Sequence, residues 1–262
     1  MTKIGLFDSG VGGLTVLKEL LHALPDESYV YFGDTARVPY GGKSPETIMR
    51  YSFENTNFII QHDVDILVIP CNTASSIALS RLQKCFSIPI IGVIDPVCKK
   101  VQQVTKTKRI GVIGTKTTIS SGAYQTELKK HIPDAEIFST ACPLFVPVVE
   151  EQLLVPSIIQ PIVKHYLAPL KKKKIDTLIL GCTHYPLLTH FIQEEMGEGV
   201  QILNPAQACT EQVLQIKSEL NLPQADVSAL QFFVSDDPKR FKAFGEAFLQ
   251  TPMKNVQKIS YF

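Results

Sequence analysis

The sequence predicts an α/β protein built from two similar, doubly wound parallel-sheet halves related by a pseudo-twofold duplication, with a site in the cleft between them. Three observations carry that prediction. Short apolar runs bounded by polar residues alternate with stretches of helical spacing. The order of these segments then repeats further along the chain. Finally, two stretches, DILVIPCNTAS from Asp65 to Ser75 and DTLILGCTHYP from Asp176 to Pro186, each place a cysteine six positions after an aspartate. Between aspartate and cysteine lie bulky aliphatics, as in a strand buried on both faces. Each cysteine therefore falls just past the carboxyl end of a strand, where open α/β sheets bind ligands.

In order, residues 3–7 (KIGLF) read as a first strand, and Asp8-Ser9-Gly10-Val11-Gly12-Gly13 as a glycine-rich turn. Residues 14–24 have helical spacing and stop at Pro25. Residues 29–32 form a second strand, followed by a loop over 33–44 that carries Pro39-Tyr40-Gly41-Gly42. A helix from 45 to about 62 leads into the Asp65 strand and Cys71. A helix from 73 to about 86 follows, then a strand over 88–94 ending at Asp95-Pro96.

The series then begins again. Residues 109–115 echo residues 3–9 at an offset of 106, and 135–138 echo 29–32 at the same offset. Cys182 follows Cys71 by 111 positions, and Asn204-Pro205 follows Asp95-Pro96 by 109. Landmarks in the same order at nearly one spacing indicate duplication. Beyond Pro205 the pattern gives a helix (206–220), a strand (230–235) and a helix (238–249) that pack back on the first half. The expected domains are 1–97 plus 206–262, and 98–205.

At 262 residues the chain buries a substantial core, and 45% hydrophobic with 19% charged residues is ordinary for a globular protein. A formal net charge of +1 calls for neither nucleic acid nor an anionic membrane surface. The six cysteines are scattered without a CxxC pair, which argues against a disulfide scaffold, a zinc ribbon or a thioredoxin-like centre. No signal peptide opens the chain, and no apolar run approaches the roughly 20 residues that span a bilayer. A cytoplasmic, reduced protein is expected.

A thiol is a weak base at neutral pH unless its thiolate is stabilised. Cys71 precedes Asn72-Thr73-Ala74-Ser75, residue types that cap a helix amino terminus, where negative charge is favoured. Cys182-Thr183-His184 has a similar form, and His184 can exchange a proton with the thiol. A lone buried cysteine is usually inert, and Cys85, Cys98, Cys142 and Cys209 are read that way. Two cysteines at matching strand ends are read otherwise. Acid–base groups on opposite sides of a carbon suit inversion of an amino-acid α-centre, one removing the proton and the other delivering one. A redox pair of thiols is the competing reading. Asp8 ends the first strand level with Cys71 and can accept an ammonium or assist a thiol. Glu150 or Glu151 can orient His184. DSGVGG lacks the third glycine of a dinucleotide fingerprint, and no metal cluster is evident, so a cofactor-free, metal-free route is expected. The lysine run 171–174 reads as a solvated loop.

Taken together, FDSGVGGLTVLKEL, GDTARVPYG, CNTAS, GCTHYPLL, IGVIGTKTTISSGAY and CPLFVPVVEE resemble the glutamate racemases. The resemblance runs from Lys3 to about Ala208. It implies two flavodoxin-like domains, a cofactor-independent two-base reaction, and D-glutamate supplied for peptidoglycan. Matched by motif, Cys71 and Cys182 are the acid/base thiols, Asp8 assists near Cys71, and His184 assists Cys182 with Glu150 behind it. Ser9, Tyr40, Gly41, Asn72, Thr73 and Thr183 hold the substrate. A homodimer is also implied. A racemase for another amino acid such as aspartate, or a pseudoenzyme that only binds one, remain the alternatives. Two positions depart from the family: Pro70 stands where alanine is usual, and Asn204 where aspartate is.

Overall fold

The computed structural model describes residues 2–223 and 229–260. The first series comprises β1 (Lys3–Asp8), α1 (Leu14–Ala23), β2 (Ser28–Gly33), α2 (Pro45–Ile60), β3 (Ile66–Ile69), α3 (Asn72–Cys85), β4 (Ile90–Gly92) and α4 (Ile94–Val104). The second comprises β5 (Arg109–Gly114), α5 (Lys116–Ser120), α6 (Ala123–His131), β6 (Glu136–Ala141), α7 (Phe145–Glu150), α8 (Pro156–Lys171), β7 (Thr177–Gly181), α9 (Thr189–Met196) and β8 (Gln201–Leu203). Then come α10 (Pro205–Glu219), β9 (Leu230–Val234), α11 (Pro238–Leu249) and β10 (Val256–Lys258).

Every strand pair is parallel. The sheets have the orders β10-β9-β2-β1-β3-β4 and β6-β5-β7-β8. Without β9 and β10, the two orders are the same, strand for strand: the second, first, third and fourth of each series. The order doubles back beside the first strand of each series, the kind of switch point at which open sheets form clefts. Ile4 pairs with Ile66 in one sheet and Ile110 with Thr177 in the other, so register repeats as well as order. β9 adds to the outer edge of β2, which carries residues 230–258 into the first sheet.

Side chains alternate across each strand, and the two faces serve different cores. Ile4 and Leu6 of β1, Ile66 and Val68 of β3, Ile110 and Val112 of β5 and Ile179 of β7 share one apolar cluster with α1, α4, α6 and α10. The opposite faces keep separate cores. Phe7, Leu67 and Ile69 pack in one, and Ile113, Leu178 and Leu180 in the other. Each fully buried aliphatic contributes roughly 1.5–3 kcal/mol. The shared cluster fixes how the sheets stand to one another, and with that the spacing of their carboxyl ends.

Local boundaries differ from the sequence reading in places. The strand expected over 88–94 covers only Ile90–Gly92, and Ile94-Asp95-Pro96 open α4 instead. Proline near a helix start gives up an N–H that needs no partner there. The paired aspartates brace the strands at the ends remote from the cysteines. Asp65 Oδ2 accepts the Lys3 N–H at 2.7 Å, and Asp176 Oδ2 accepts the Lys106 N–H at 2.7 Å.

Candidate active site

The strand ends converge. β1 delivers Asp8 and Ser9, β3 Cys71, β5 Thr115 and β7 Cys182. A single narrow cavity is lined by Cys71, Asn72, Thr73, Ser9, Tyr40 and Gly41 from the first series, and by Thr115, Cys182, Thr183 and His184 from the second. Both thiols are thus on one chamber, and both are free. Asp8 lies behind Ser9, fully buried, and Glu150 lies behind His184.

The two sulfurs have different surroundings. Cys71 is itself the amino-terminal cap of α3, its Sγ accepting the Ala74 N–H at 3.4 Å; the sequence reading had placed that role on the residues after it. Ser9 Oγ is 3.9 Å from the same sulfur. Burial, reinforced by the Asp8 carboxylate, pushes the Cys71 thiol up to about 12, against the lowering influence of the Ala74 and Ser9 bonds. At neutral pH Cys71 therefore keeps its proton. Asp8 Oδ2 accepts the Gly10 N–H at 3.0 Å, while Oδ1 has no partner among the described residues. Burial raises this carboxyl, with His184 and the Gly10 and Gly13 amides opposing.

Cys182 does not cap a helix. The chain after it forms a short 3₁₀ turn, Tyr185–Leu188, before α9 begins. Its partner is a side chain: Cys182 Sγ is 3.9 Å from His184 Nδ1, and His184 Nε2 is 3.0 Å from Glu150 Oε1. Burial alone lowers the imidazole, but hydrogen bonds to Cys182 and Glu150 outweigh it and push His184 up to about 10. A protonated ring beside Cys182 stabilises negative charge on that sulfur. The two thiols thus differ in their neighbours, a helix amino terminus at Cys71 and an imidazole at Cys182. Glu151, the other carboxylate considered from sequence, faces away and pairs with Arg240 at 3.1 Å.

A triangle of hydroxyls completes one wall. Thr73 lies 3.0 Å from Thr115 and 3.1 Å from Thr118, which are 2.9 Å apart. Thr115 and Thr118 were missed from sequence, although Thr115 stands 106 positions after Ser9, the offset that marks the duplication. Tyr40 lines the cavity, but its hydroxyl donates to Asp34 and accepts from Asn55 Nδ2 at 2.9 Å. Asp34, fully buried, is also held by Arg37 Nε at 2.7 Å and Ser235 Oγ at 2.9 Å. The residue therefore offers the cavity its ring and backbone. Two glycines permit the halves to close. A Cβ on Gly41 would lie 2.4 Å from Thr115 Cβ, and one on Gly12 would lie 2.3 Å from Thr183 Oγ1.

The remaining cysteines sit apart from this chemistry. Cys98, Cys142 and Cys209 are buried and raised by that burial, and Cys85 is exposed. No metal cluster was evident from sequence, yet Asp95, Glu127 and His131 bring three metal-capable atoms within 4.8 Å of one another. Lys99 and Lys130 already engage the two carboxylates at 2.7 Å each, so the cluster is satisfied as an ion network. Pro70 follows the last residue of β3 and costs no ladder bond. Asn204 caps α10, accepting the Ala206 N–H at 3.1 Å. Among the described residues no helix is long and apolar enough to cross a membrane.

Comparison with known proteins gives a consistent answer. The profile of the Asp/Glu/hydantoin racemase family matches residues 6–213. A glutamate racemase of Geobacter metallireducens is 47% identical over 259 residues, 98% of this chain and 96% of that one. Among solved structures, a glutamate racemase isoform of Bacillus anthracis superposes with a TM-score of 0.95 at 40% identity, covering 99% of this chain and 97% of that one. The Francisella tularensis glutamate racemase, solved with D-glutamate, gives 0.93 at 37% identity, with the same coverage of both chains.

Proposed function

The chain belongs to the Asp/Glu/hydantoin racemase family, and we propose that it interconverts L- and D-glutamate by proton transfer between two thiols. The observation that carries the reading is that Cys71 and Cys182, from opposite halves, line one small cavity, the first at a helix amino terminus and the second beside His184. In the reaction, the Cys182 thiolate removes the α-proton from one face of the bound amino acid while Cys71 gives its proton to the other. The enzyme is left with Cys182 protonated and Cys71 ionised, ready for the reverse direction. His184, oriented by Glu150, holds charge at Cys182. The unpartnered Asp8 oxygen is available to the substrate ammonium or to the Cys71 proton.

Ser9, Thr73, Thr183, the Asn72 amide and the backbone of the Tyr40-Gly41 turn hold the substrate. The carbanion-like state is stabilised by fixed dipoles in a site from which water is excluded. No cofactor is required for this route. The domain division 1–97 plus 206–262 and 98–205, a homodimeric assembly, a cytoplasmic location and supply of D-glutamate to peptidoglycan belong to the same proposal.

The purified protein, given either enantiomer, is expected to approach an equal mixture of both, with aspartate a poor substrate. Cys71→Ala and Cys182→Ala are each expected to lower kcat at least about a thousandfold, since each removes an obligatory proton carrier. Racemisation by either variant at the parental rate refutes the two-thiol route. Turnover of aspartate in preference to glutamate refutes the substrate.

A further inference from the structure

We propose that Tyr124 is a positioning residue for Asn72, fixing across the boundary between the halves which way that amide faces the cavity. The inference rests on the racemase reading and deepens it by naming what prepares the site for a carboxylate. Asn72 opens α3 in the first series and Tyr124 stands in the first turn of α6 in the second. Tyr124 Oη donates to Asn72 Oδ1 at 2.6 Å, and both residues are buried. That separation suits an O–H···O bond and is short for a nitrogen donor, which prefers about 2.9–3.0 Å. The carbonyl oxygen of the amide, and not its nitrogen, therefore faces the phenol.

An amide whose oxygen is taken turns its two N–H donors the other way. Nδ2 makes no hydrogen bond to any described residue, and Asn72 lines the cavity. Donors on a cavity wall that no protein group takes are free for a ligand there. A carboxylate oxygen is the acceptor of a glutamate ligand that such an N–H suits. The opposite orientation would present a carbonyl oxygen to that carboxylate and replace attraction by repulsion. Tyr124 prevents it for as long as it keeps its proton. Burial, together with Cys98 and Cys182, holds the phenol well above its usual range, so it remains a donor at any working pH. Its ring is itself fixed, with Cε2 3.1 Å from where a Cβ on Gly181 would stand, one residue before Cys182.

The test is steady-state racemisation of both glutamate enantiomers by the parent, Tyr124→Phe, Asn72→Ala and the double variant. Tyr124→Phe is expected to raise KM about tenfold, the loss of one buried hydrogen bond, with kcat and its α-deuterium isotope effect nearly unchanged. In the Asn72→Ala background the same change is expected to add nothing, because Tyr124 then has no amide to orient. Additive effects, or a fall in kcat at unchanged KM, overturn the proposal. Should Tyr124→Phe fail to fold, Asn72→Asp provides a second reading. It keeps the acceptor for the phenol but replaces both donors by a carboxylate oxygen. KM is then expected to rise at least about a hundredfold, and a KM near the parent's overturns the proposal. A parent that does not racemise glutamate defeats the functional reading itself, and this inference with it.

Discussion

Burial by itself would strip the proton from His184, yet the Cys182 sulfur on one ring nitrogen and the Glu150 carboxylate on the other push it up to about 10. The folded value lies above the unfolded one, near 6.5, so the native state binds this proton more tightly. The resulting stabilisation is complete below about pH 6.5 and is lost as pH rises through about 10. Glu150→Gln removes one of the two supports. It is expected to move the alkaline decline of both stability and kcat to lower pH, with kcat at pH 8 down about tenfold. Chemical denaturation and rate profiles from pH 6 to 10 check this; an unmoved alkaline limb counts against the charge-holding role. The His184 partnership was legible in the tripeptide Cys182-Thr183-His184. The choice between Glu150 and Glu151 was not, because neighbours at a helix end point in different directions and only the packing of α7 decides between them.

At the scale of elements, the duplicated aspartates do structural work at the ends of the strands away from the chemistry. Asp176 gathers the Lys106 and Thr107 amides and the Thr105 and Thr107 hydroxyls at the start of β5. Burial raises its carboxyl, but the Thr107 and Thr105 bonds outweigh that and hold it down at about 2. For a depressed carboxyl the stabilisation is present above the unfolded value, near 3.9, and is lost as pH falls through about 2. Asp176→Asn is expected to cost about 1 kcal/mol at pH 7, modest because the group is solvent-screened. It should also flatten the acid side of the stability curve. Urea titrations at pH 7 and pH 3 measure both, and an equal loss at the two pH values contradicts the argument. β1, β3, β5 and β7 were legible because strands buried on both faces read as continuous aliphatics. β10 was not: Val256–Lys258 is a three-residue edge strand with two exposed members and carries no periodic signal. Sulfur as the cap of α3 was equally hidden, since the preference for Asn, Ser, Thr or Asp pointed to the residues that follow Cys71.

For the whole molecule, what matters is how closely the halves approach. The repeated succession of elements along the chain and the matching positions of the two cysteines were readable because duplication writes the same pattern twice. The contacts that seal the chamber were not, because they join residues far apart in sequence, as Thr73 joins Thr115 and Tyr124 joins Asn72. Gly41 belongs to these contacts. Gly41→Ala is expected to force its loop away from Thr115 and raise KM for glutamate about tenfold or more. The melting temperature should change by only about 2 °C, since Gly41 adds no side chain to any of the three cores. A normal KM, or a collapse of the fold, contradicts that assignment. The account as a whole rests on a proton leaving to one sulfur and arriving from the other. Its most direct test follows solvent deuterium during the first few per cent of reaction in heavy water, starting from each enantiomer in turn. The expected result is deuterium at the α-carbon of the product and almost none in the recovered starting enantiomer. Equal labelling of both from the outset means that a single group handles both faces, and contradicts it.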